Sequence, residues 1–254
     1  MEPILKVENL TKVFSRSGQE DFTAVNGITF ALLPGECLGI IGESGSGKTT
    51  AVNLITRLLD ATEGSILLDG EEITHLKGRE LHKVYRKMQM VFQTPTESFD
   101  PRRTLGDGIG ESLRNIGMSR KETREEVERL LEKCGLPADF ADRYPHQVSG
   151  GQCQRAAIAR ALAVKPRLLI CDEATSALDV TVQKEILELL NELRSQQGNS
   201  LSILFICHDI SLVQQFCDRV LVMYHGSIVE EGIPNEVIGH PKNAYTQRLI
   251  DSVL

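Results

Sequence analysis

The stretch Cys37-Leu38-Gly39-Ile40-Ile41-Gly42-Glu43-Ser44-Gly45-Ser46-Gly47-Lys48-Thr49-Thr50 decides how this chain is read. Its first five residues are a short apolar run, the pattern of a strand buried in a parallel sheet. The next eight match G-x-x-x-x-G-K-[ST]. After Lys48, the apolar positions Val52, Leu54, Ile55, Leu58 and Leu59 follow a helical pattern. Strand, glycine-rich turn and helix in that order form a phosphate cradle. The glycines let backbone N–H groups turn inward, and the helix start favours an anion. Gly42, Ser44, Gly45 and Gly47 supply the loop, with Thr50 just behind it. Lys48 suits the β- and γ-phosphates, and the Thr49 hydroxyl suits Mg²⁺. A glycine-rich turn with an exposed lysine is the bland reading of the same letters; both flanks speak against it.

Further along, Leu168-Leu169-Ile170-Cys171-Asp172-Glu173 is an apolar strand that ends in two acids. Acids at the end of a buried strand are costly unless they bind something. Asp172 fits a Mg²⁺ site, directly or through water. Glu173 fits the base or positioner of an attacking water. Two solvated loop acids would be an equal reading of this pair alone, but the phosphate loop upstream tips it toward chemistry.

The remaining segments alternate strand and helix. Residues 4–30 read as strands and turns, and Pro34-Gly35 is a turn signal. Residues 64–70 and 88–92 read as strands. Residues 94–118 are rich in Pro, Gly and Ser breakers, and a helix begins at Ser119, where Glu122 completes a capping box. Val127, Leu130, Leu131 and Cys134 recur at helical spacing until Gly135 and Pro137 stop them. Another helix follows Ser149 and runs to Pro166. Residues 182–193 carry a helical stripe, with Gly198 as C-cap. Residues 203–207 and 220–224 are strands, and His225-Gly226 is a tight turn into 227–230. The expected architecture is α/β: a P-loop NTPase core of parallel sheet flanked by helices, an N-terminal antiparallel β region, and an inserted α-helical subdomain. One domain then spans 1–254, with 1–93 and 166–254 as nucleotide-binding core and 94–165 as helical subdomain.

Composition bounds the function. The chain has 254 residues, 41% apolar and 25% charged, ordinary for a globular domain. Its net charge of −7 argues against a nucleic-acid partner. The six cysteines form no CxxC pair and no metal spacing, and they sit in apolar runs, which points to a reducing compartment. Residues 1–10 lack the apolar segment of a signal peptide. No window approaches the run of about 18 apolar residues that spans a bilayer, so any membrane role comes through a partner.

Val148-Ser149-Gly150-Gly151-Gln152 resembles the LSGGQ signature of the ABC (ATP-binding cassette) ATPases, with Val148 where Leu is usual. Physically, Ser149 and the amides of Gly150 and Gly151 open a helix and make a second anion site. Other motifs of the family follow in order. Gln93, after Met90-Val91-Phe92, is similar to the Q-loop glutamine. Ser176-Ala177-Leu178-Asp179 resembles the D-loop. His208 resembles the switch histidine, and Phe14 the aromatic that stacks on adenine. Singly, each has a structural reading; order and spacing carry the resemblance.

The resemblance implies the ABC ATPase fold, with ATP and Mg²⁺ as cofactors. It implies Glu173, His208 and Gln93 as catalytic residues, and Thr49, Gln93 and Asp172 as the Mg²⁺ site. It also implies a head-to-tail dimer in which ATP lies between the P-loop of one subunit and residues 149–152 of the other. The physics agrees, because a chain cannot easily bring its own inserted lobe onto its own P-loop. ATP would close that dimer and hydrolysis release it.

Gln93-Thr94-Pro95-Thr96-Glu97-Ser98-Phe99-Asp100-Pro101-Arg102 and Arg143-Tyr144-Pro145-His146-Gln147 are similar to importer ATPases for peptides and for nickel, as is Ala161-Leu162-Ala163-Val164-Lys165-Pro166. Many of that branch carry a cysteine-rich C-terminal extension. This sequence stops at Leu254 without one, which leaves nickel or other metal-chelate import open beside peptide import. The implied partners are separate transmembrane permease subunits, a second ABC ATPase subunit (identical or different) and, indirectly, a periplasmic or extracellular substrate-binding protein. The implied location is the cytoplasmic face of the membrane, as a peripheral subunit. A soluble ABC ATPase driving iron–sulfur cluster assembly is the alternative. A chromosome-maintenance ATPase would need long heptad arms between P-loop and signature, and a tandem protein would need two cassettes.

Two local expectations complete the reading. Residues 94–117 should dock a permease. Cys153, directly after the signature, is either a thiolate favoured by the helix N-terminus and shielded when ATP closes the dimer, or a small residue filling space under the helix. Cys171 and Cys207 should be inert core residues.

Overall fold

Alternation of apolar and polar residues starts the chain as strands. β1 (Leu5–Phe14) and β2 (Phe22–Leu32) pair antiparallel, with Leu5 opposite Leu32 and Phe14 opposite Phe22. β3 (Cys37–Ile41) is buried at all five positions, and α1 (Lys48–Ile55) follows the glycine-rich loop. β4 (Glu63–Leu68) and β5 (Glu71–Glu72) extend the first sheet to the order β2-β1-β4-β5, antiparallel throughout. Next come α2 (Gly78–Lys87) and β6 (Met88–Val91). A helical stretch follows: α3 (Leu105–Asn115), α4 (Arg120–Lys133) and α5 (Gly150–Leu162), with short 3₁₀ turns before α3 and between α4 and α5. The chain then returns to the sheet through β7 (Leu168–Asp172), α6 (Val180–Gln196), β8 (Ser202–Ile206), α7 (Ile210–Phe216), β9 (Arg219–Tyr224) and β10 (Ser227–Gly232). It ends in α8 (Pro234–Gly239) and α9 (Ala244–Asp251). This computed structural model describes residues 2–15, 20–174, 178–196 and 201–252.

The second sheet has the order β10-β9-β3-β8-β7-β6. β9, β3, β8, β7 and β6 run parallel, and β10 returns antiparallel along β9. The period-2 geometry of a strand splits their apolar runs between two cores. Leu38, Ile40, Ile170, Leu204 and Ile206 face the core shared with α1 and the N-terminal sheet. Cys37, Ile41, Leu169, Cys171, Ile203 and Phe205 face the core shared with the helical stretch. Each large aliphatic side chain so buried contributes about 1.5–3 kcal/mol against chain entropy. Burial on both faces is why these strands read as continuous apolar runs.

The breaker-rich residues 94–118 also contain α3, which the sequence pattern hid. Its glycines serve packing. A Cβ on Gly106 would lie 2.6 Å from the Ala141 carbonyl, on Gly108 2.7 Å from the Phe99 ring, and on Gly110 2.6 Å from the Thr123 methyl. Each glycine costs the helix about 1 kcal/mol relative to alanine, yet only glycine permits so close an approach. The expected capping box is present: the Ser119 N–H donates to Glu122 Oε2 at 2.9 Å, and the Glu122 N–H donates to Ser119 Oγ at 3.3 Å. The His225-Gly226 turn is also found, with φ of 45° and 79°. Gly198, expected to cap α6, lies outside the described residues, as do Ser176 and Ala177. No helix among the described residues is long and apolar enough to cross a membrane.

Candidate functional site

The loop between β3 and α1 is built so that its backbone faces inward. Gly47, the N-cap of α1, has φ 105°, and no side chain caps the first turn of the helix. A Cβ on Gly47 would lie 2.5 Å from the Ala24 carbonyl, and one on Gly42 2.3 Å from the Met223 carbonyl. The loop is therefore wedged between β2 and β9, and a side chain at either position would push it out. The Lys48 ammonium folds back over the loop, donating to the carbonyls of Gly42 at 2.7 Å and Glu43 at 2.8 Å. Burial pushes the Lys48 pKa down, against the upward pull of Glu173 and Asp172. Ser44, Gly45 and Thr49 are exposed, and Thr50 is half-buried. Exposed first-turn amides beside a buried ammonium make a concave site for a polyanion.

Parallel pairing brings three more segments to the same edge. β3, β6, β7 and β8 all end there, so Gly42, Gln93, Asp172–Glu173 and His208 leave the C-terminal edge of one sheet, where ligands of open α/β sheets bind. Glu173 has φ 47°, rare for a residue with a Cβ, and its N–H still pairs with the Ile206 carbonyl at 3.0 Å. This turn sends Asp172 and Glu173 out together. Burial, reinforced by the Glu173 charge, raises the Asp172 pKa from 3.8 to about 6. Asp172 Oδ1 is buried with no hydrogen-bond partner. Such an orphan acceptor fits a cation that the chain itself does not supply. Gln93 Nε2 donates to Glu173 Oε2 at 2.9 Å, so the two residues meet directly. His208 is exposed just past β8.

Residues 149–152 stand on other elements. Ser149 caps α5: its N–H donates to Gln152 Oε1 at 2.9 Å, and the Gln152 N–H donates to Ser149 Oγ at 3.3 Å. This is a second capping box, with the pattern Ser-x-x-Gln. Ser149 and Gly150 are exposed, and Gly150 lies near Leu178, just before α6. No hydrogen bond among the described residues joins residues 149–152 to the phosphate loop. Asp179 caps α6, its Oδ1 accepting from the Val182 N–H at 3.0 Å. Phe14, at the end of β1, is 38% exposed, with the Lys12 ammonium 5.2 Å from its ring centre.

The structure decides between the two readings of Cys153. Cys153 is fully buried, and burial pushes its pKa to about 11. Loss of hydration outweighs the helix-terminus field, so the space-filling reading holds and the reactive-thiolate reading fails. Cys171 and Cys207 are buried with pKa values pushed up to about 12, inert as expected. Sequence reasoning missed Ser46, which is buried, its carbonyl accepting from the Gly226 N–H at 2.9 Å. It also missed Tyr245, whose hydroxyl accepts from the Glu43 N–H at 3.0 Å. One contact comes from the turn between β9 and β10 and the other from α9, both far downstream of the loop and beyond the reach of any local pattern.

Comparison with known proteins agrees with this geometry. The family model described as "ABC transporter" matches residues 25–176. The oligopeptide transport ATP-binding protein OppF of Escherichia coli K12 is 46% identical over 232 residues, covering 91% of this chain and 69% of that one. The oligopeptide transport ATP-binding protein AppF of Bacillus subtilis 168 is 46% identical over 260 residues, covering 99% and 78%. Among solved structures, the ATP-binding cassette MJ0796, a dimer in a post-hydrolysis state bound to ADP and Pi, superposes with a TM-score of 0.82 at 33% identity, covering 91% of this chain and 98% of that one.

Proposed function

This chain belongs to the ABC transporter family, and we propose from that premise how its residues divide the work. It is the ATP-binding and ATP-hydrolysing subunit of an ABC importer. The observation that carries the site assignment is the convergence of the phosphate loop, Gln93, Asp172 and Glu173 at one sheet edge. The loop amides and Lys48 hold the phosphates, Lys48 exchanging the carbonyls of Gly42 and Glu43 for phosphate oxygens. Phe14 stacks on adenine. Thr49, Gln93 and Asp172 would hold Mg²⁺, and the orphaned Asp172 oxygen is the observation that favours this. That ion, when bound, neutralises charge on the phosphates. Glu173 orients or deprotonates the attacking water, and its contact with Gln93 ties it to the loop that leaves β6. His208 faces the γ-phosphate from the end of β8. Residues 149–152 of a second subunit complete the site, with Asp179 near that boundary.

The cargo we propose is short peptides, since both relatives are oligopeptide transport proteins. Neither name speaks for nickel or for iron–sulfur assembly. The permease seat we propose lies beside Gln93, in a groove of about 350 Å³ lined by Leu58, Tyr85, Met90, Phe92, Ser98 and Arg160. Leu58 is 60% and Phe92 42% exposed, apolar surface left open among the described residues. Arg160 of α5 donates to the Ser98 carbonyl and lies 4.5 Å from the centre of the Phe99 ring. The segment after Gln93 is thereby tied to the helix that begins with the signature, so nucleotide state and permease contact can move together.

The test is cross-linking in membranes from cells that hold the whole transporter. All six native cysteines are buried, so a cysteine introduced at Leu58 or Ser98 reports cleanly. Capture of a membrane subunit, altered by ATP, is expected. Capture only of soluble proteins would favour the assembly-factor alternative.

A further inference from the structure

The phosphate loop is hydrogen-bonded to a residue of α9. Tyr245 lies in the first turn of α9 and is 3% exposed. Its hydroxyl accepts from the Glu43 N–H at 3.0 Å. Three contacts fix where that hydroxyl sits. The ring stacks on Tyr224, centroids 3.9 Å apart and planes at 27°. The Tyr245 N–H donates to Asn243 Oδ1 at 2.8 Å. The Glu230 carboxylate, on β10, accepts from the N–H groups of Lys242 and Asn243 at 2.8 and 3.1 Å, which pins the start of α9 to the sheet. Burial keeps the hydroxyl protonated and neutral.

Glu43 is thus gripped at both ends: its N–H by Tyr245, its carbonyl by Lys48 and, within the loop, by the Ser46 N–H at 3.1 Å. On the proposed function, bound phosphate draws Lys48 off the carbonyls, and Tyr245 is then the hold on Glu43 that comes from outside the loop as the cradle must keep its form. An anion site made of backbone amides works when those amides are set beforehand. The glycines that open the cradle also leave it free to collapse. We propose that Tyr245 is a positioning residue for nucleotide: its hydroxyl holds the Glu43 amide and keeps the phosphate loop in its binding shape while Lys48 transfers to phosphate. This rests on the loop being the ATP site. α9 is then part of the nucleotide machinery through the loop it holds.

Tyr245→Phe removes the hydroxyl and keeps the stack. Losing one such hydrogen bond should weaken ATP binding by about 3- to 10-fold, measured by titration in magnesium-free buffer. KM should rise by the same factor while kcat at saturating ATP stays within about twofold. Tyr224→Phe, which strips a hydroxyl from the neighbouring ring without touching the loop, should bind ATP as wild type does. Equal affinity in Tyr245→Phe, or an equal loss in Tyr224→Phe, would overturn the proposal. Hydrogen exchange at the Glu43 amide of the wild-type chain gives a second reading that survives if the variant does not fold. Protection relative to the Ser44 amide supports the tether, and exchange as fast as Ser44 overturns it. Wild-type protein that binds no ATP would sink the nucleotide reading instead, and the amide exchange would still judge the tether.

Discussion

Two helix starts in this chain, α1 after the phosphate loop and α5 after Ser149, are finished in opposite ways. The start of α1 is tied into the rest of the molecule. Ala24, Met223, Gly226 and Tyr245 all bear on its loop, and a buried lysine closes over it. Among the described residues, the start of α5 is hydrogen-bonded only to itself, by the Ser149–Gln152 capping box; Gly151 packs against Val182 of α6, while Ser149 and Gly150 are exposed. A loop wedged on several sides is a site completed by its own chain. A helix start presented to solvent, on elements separate from that loop, suits a partner's nucleotide. The difference is what a head-to-tail dimer requires, because each subunit then offers one internal and one outward-facing half.

The largest effect that would sharpen this contrast lies on the internal half. Glu173→Gln should keep ATP binding and lower turnover by about 10²- to 10⁴-fold, and the protein should accumulate as an ATP-bound dimer on sizing. Turnover at the wild-type rate would remove Glu173 from the chemistry and, with it, the reason to read this sheet edge as the reacting half.

A smaller effect concerns the charge stored there. Asp172 has a folded pKa of about 6 against an ordinary 3.8. The folded state therefore keeps a proton that the unfolded state has lost, and stability of the nucleotide-free protein falls as pH rises through that window. Asp172→Asn should flatten this slope and abolish magnesium-dependent hydrolysis. With the partial exposure of the group discounted, it should raise Tm at pH 8 by about 2–4 °C. An unchanged slope would show that burial does not perturb this carboxyl.

The smallest effect lies on the outward half. Cys153 sits in the first turn of α5 but is fully buried, so alkylation should be slow and equal with and without ATP. Cys153→Ala should leave turnover unchanged and cost about 1 kcal/mol of stability. Fast labelling lost on ATP addition would mean that the start of α5 opens in solution.

Those outcomes follow how far each region could be read from the chain. β3, its loop and α1 were legible because strand, glycines and helix are contiguous and the signal is local. The acids after β7 were legible for the same reason. The helix α3 was hidden, since Gly106, Gly108 and Gly110 look like breakers until Ala141, Phe99 and Thr123 are seen against them. Tyr245 was invisible because its partner Glu43 lies about 200 residues away in sequence. Cys153 stayed between two readings in the sequence because position on a helix is local and burial is not. Gln93 and Glu173 were named separately as site residues, but their direct hydrogen bond follows only from the strand order. Local geometry is written in short windows, and the contacts that hold a site open are made by the fold.

The central claim is that the signature at the start of α5 serves the phosphate loop of a second subunit, and two variants of this chain mixed together test it. Lys48→Ala disables the internal half, and Ser149→Arg places a bulky charge on the outward half. Each variant alone should hydrolyse ATP at a small fraction of the wild-type rate. Mixed before dimerisation, they should recover roughly a quarter of wild-type turnover, since half of randomly paired dimers are mixed and each of those holds one intact site of two. No recovery on mixing, or full turnover by Ser149→Arg alone, would contradict the account.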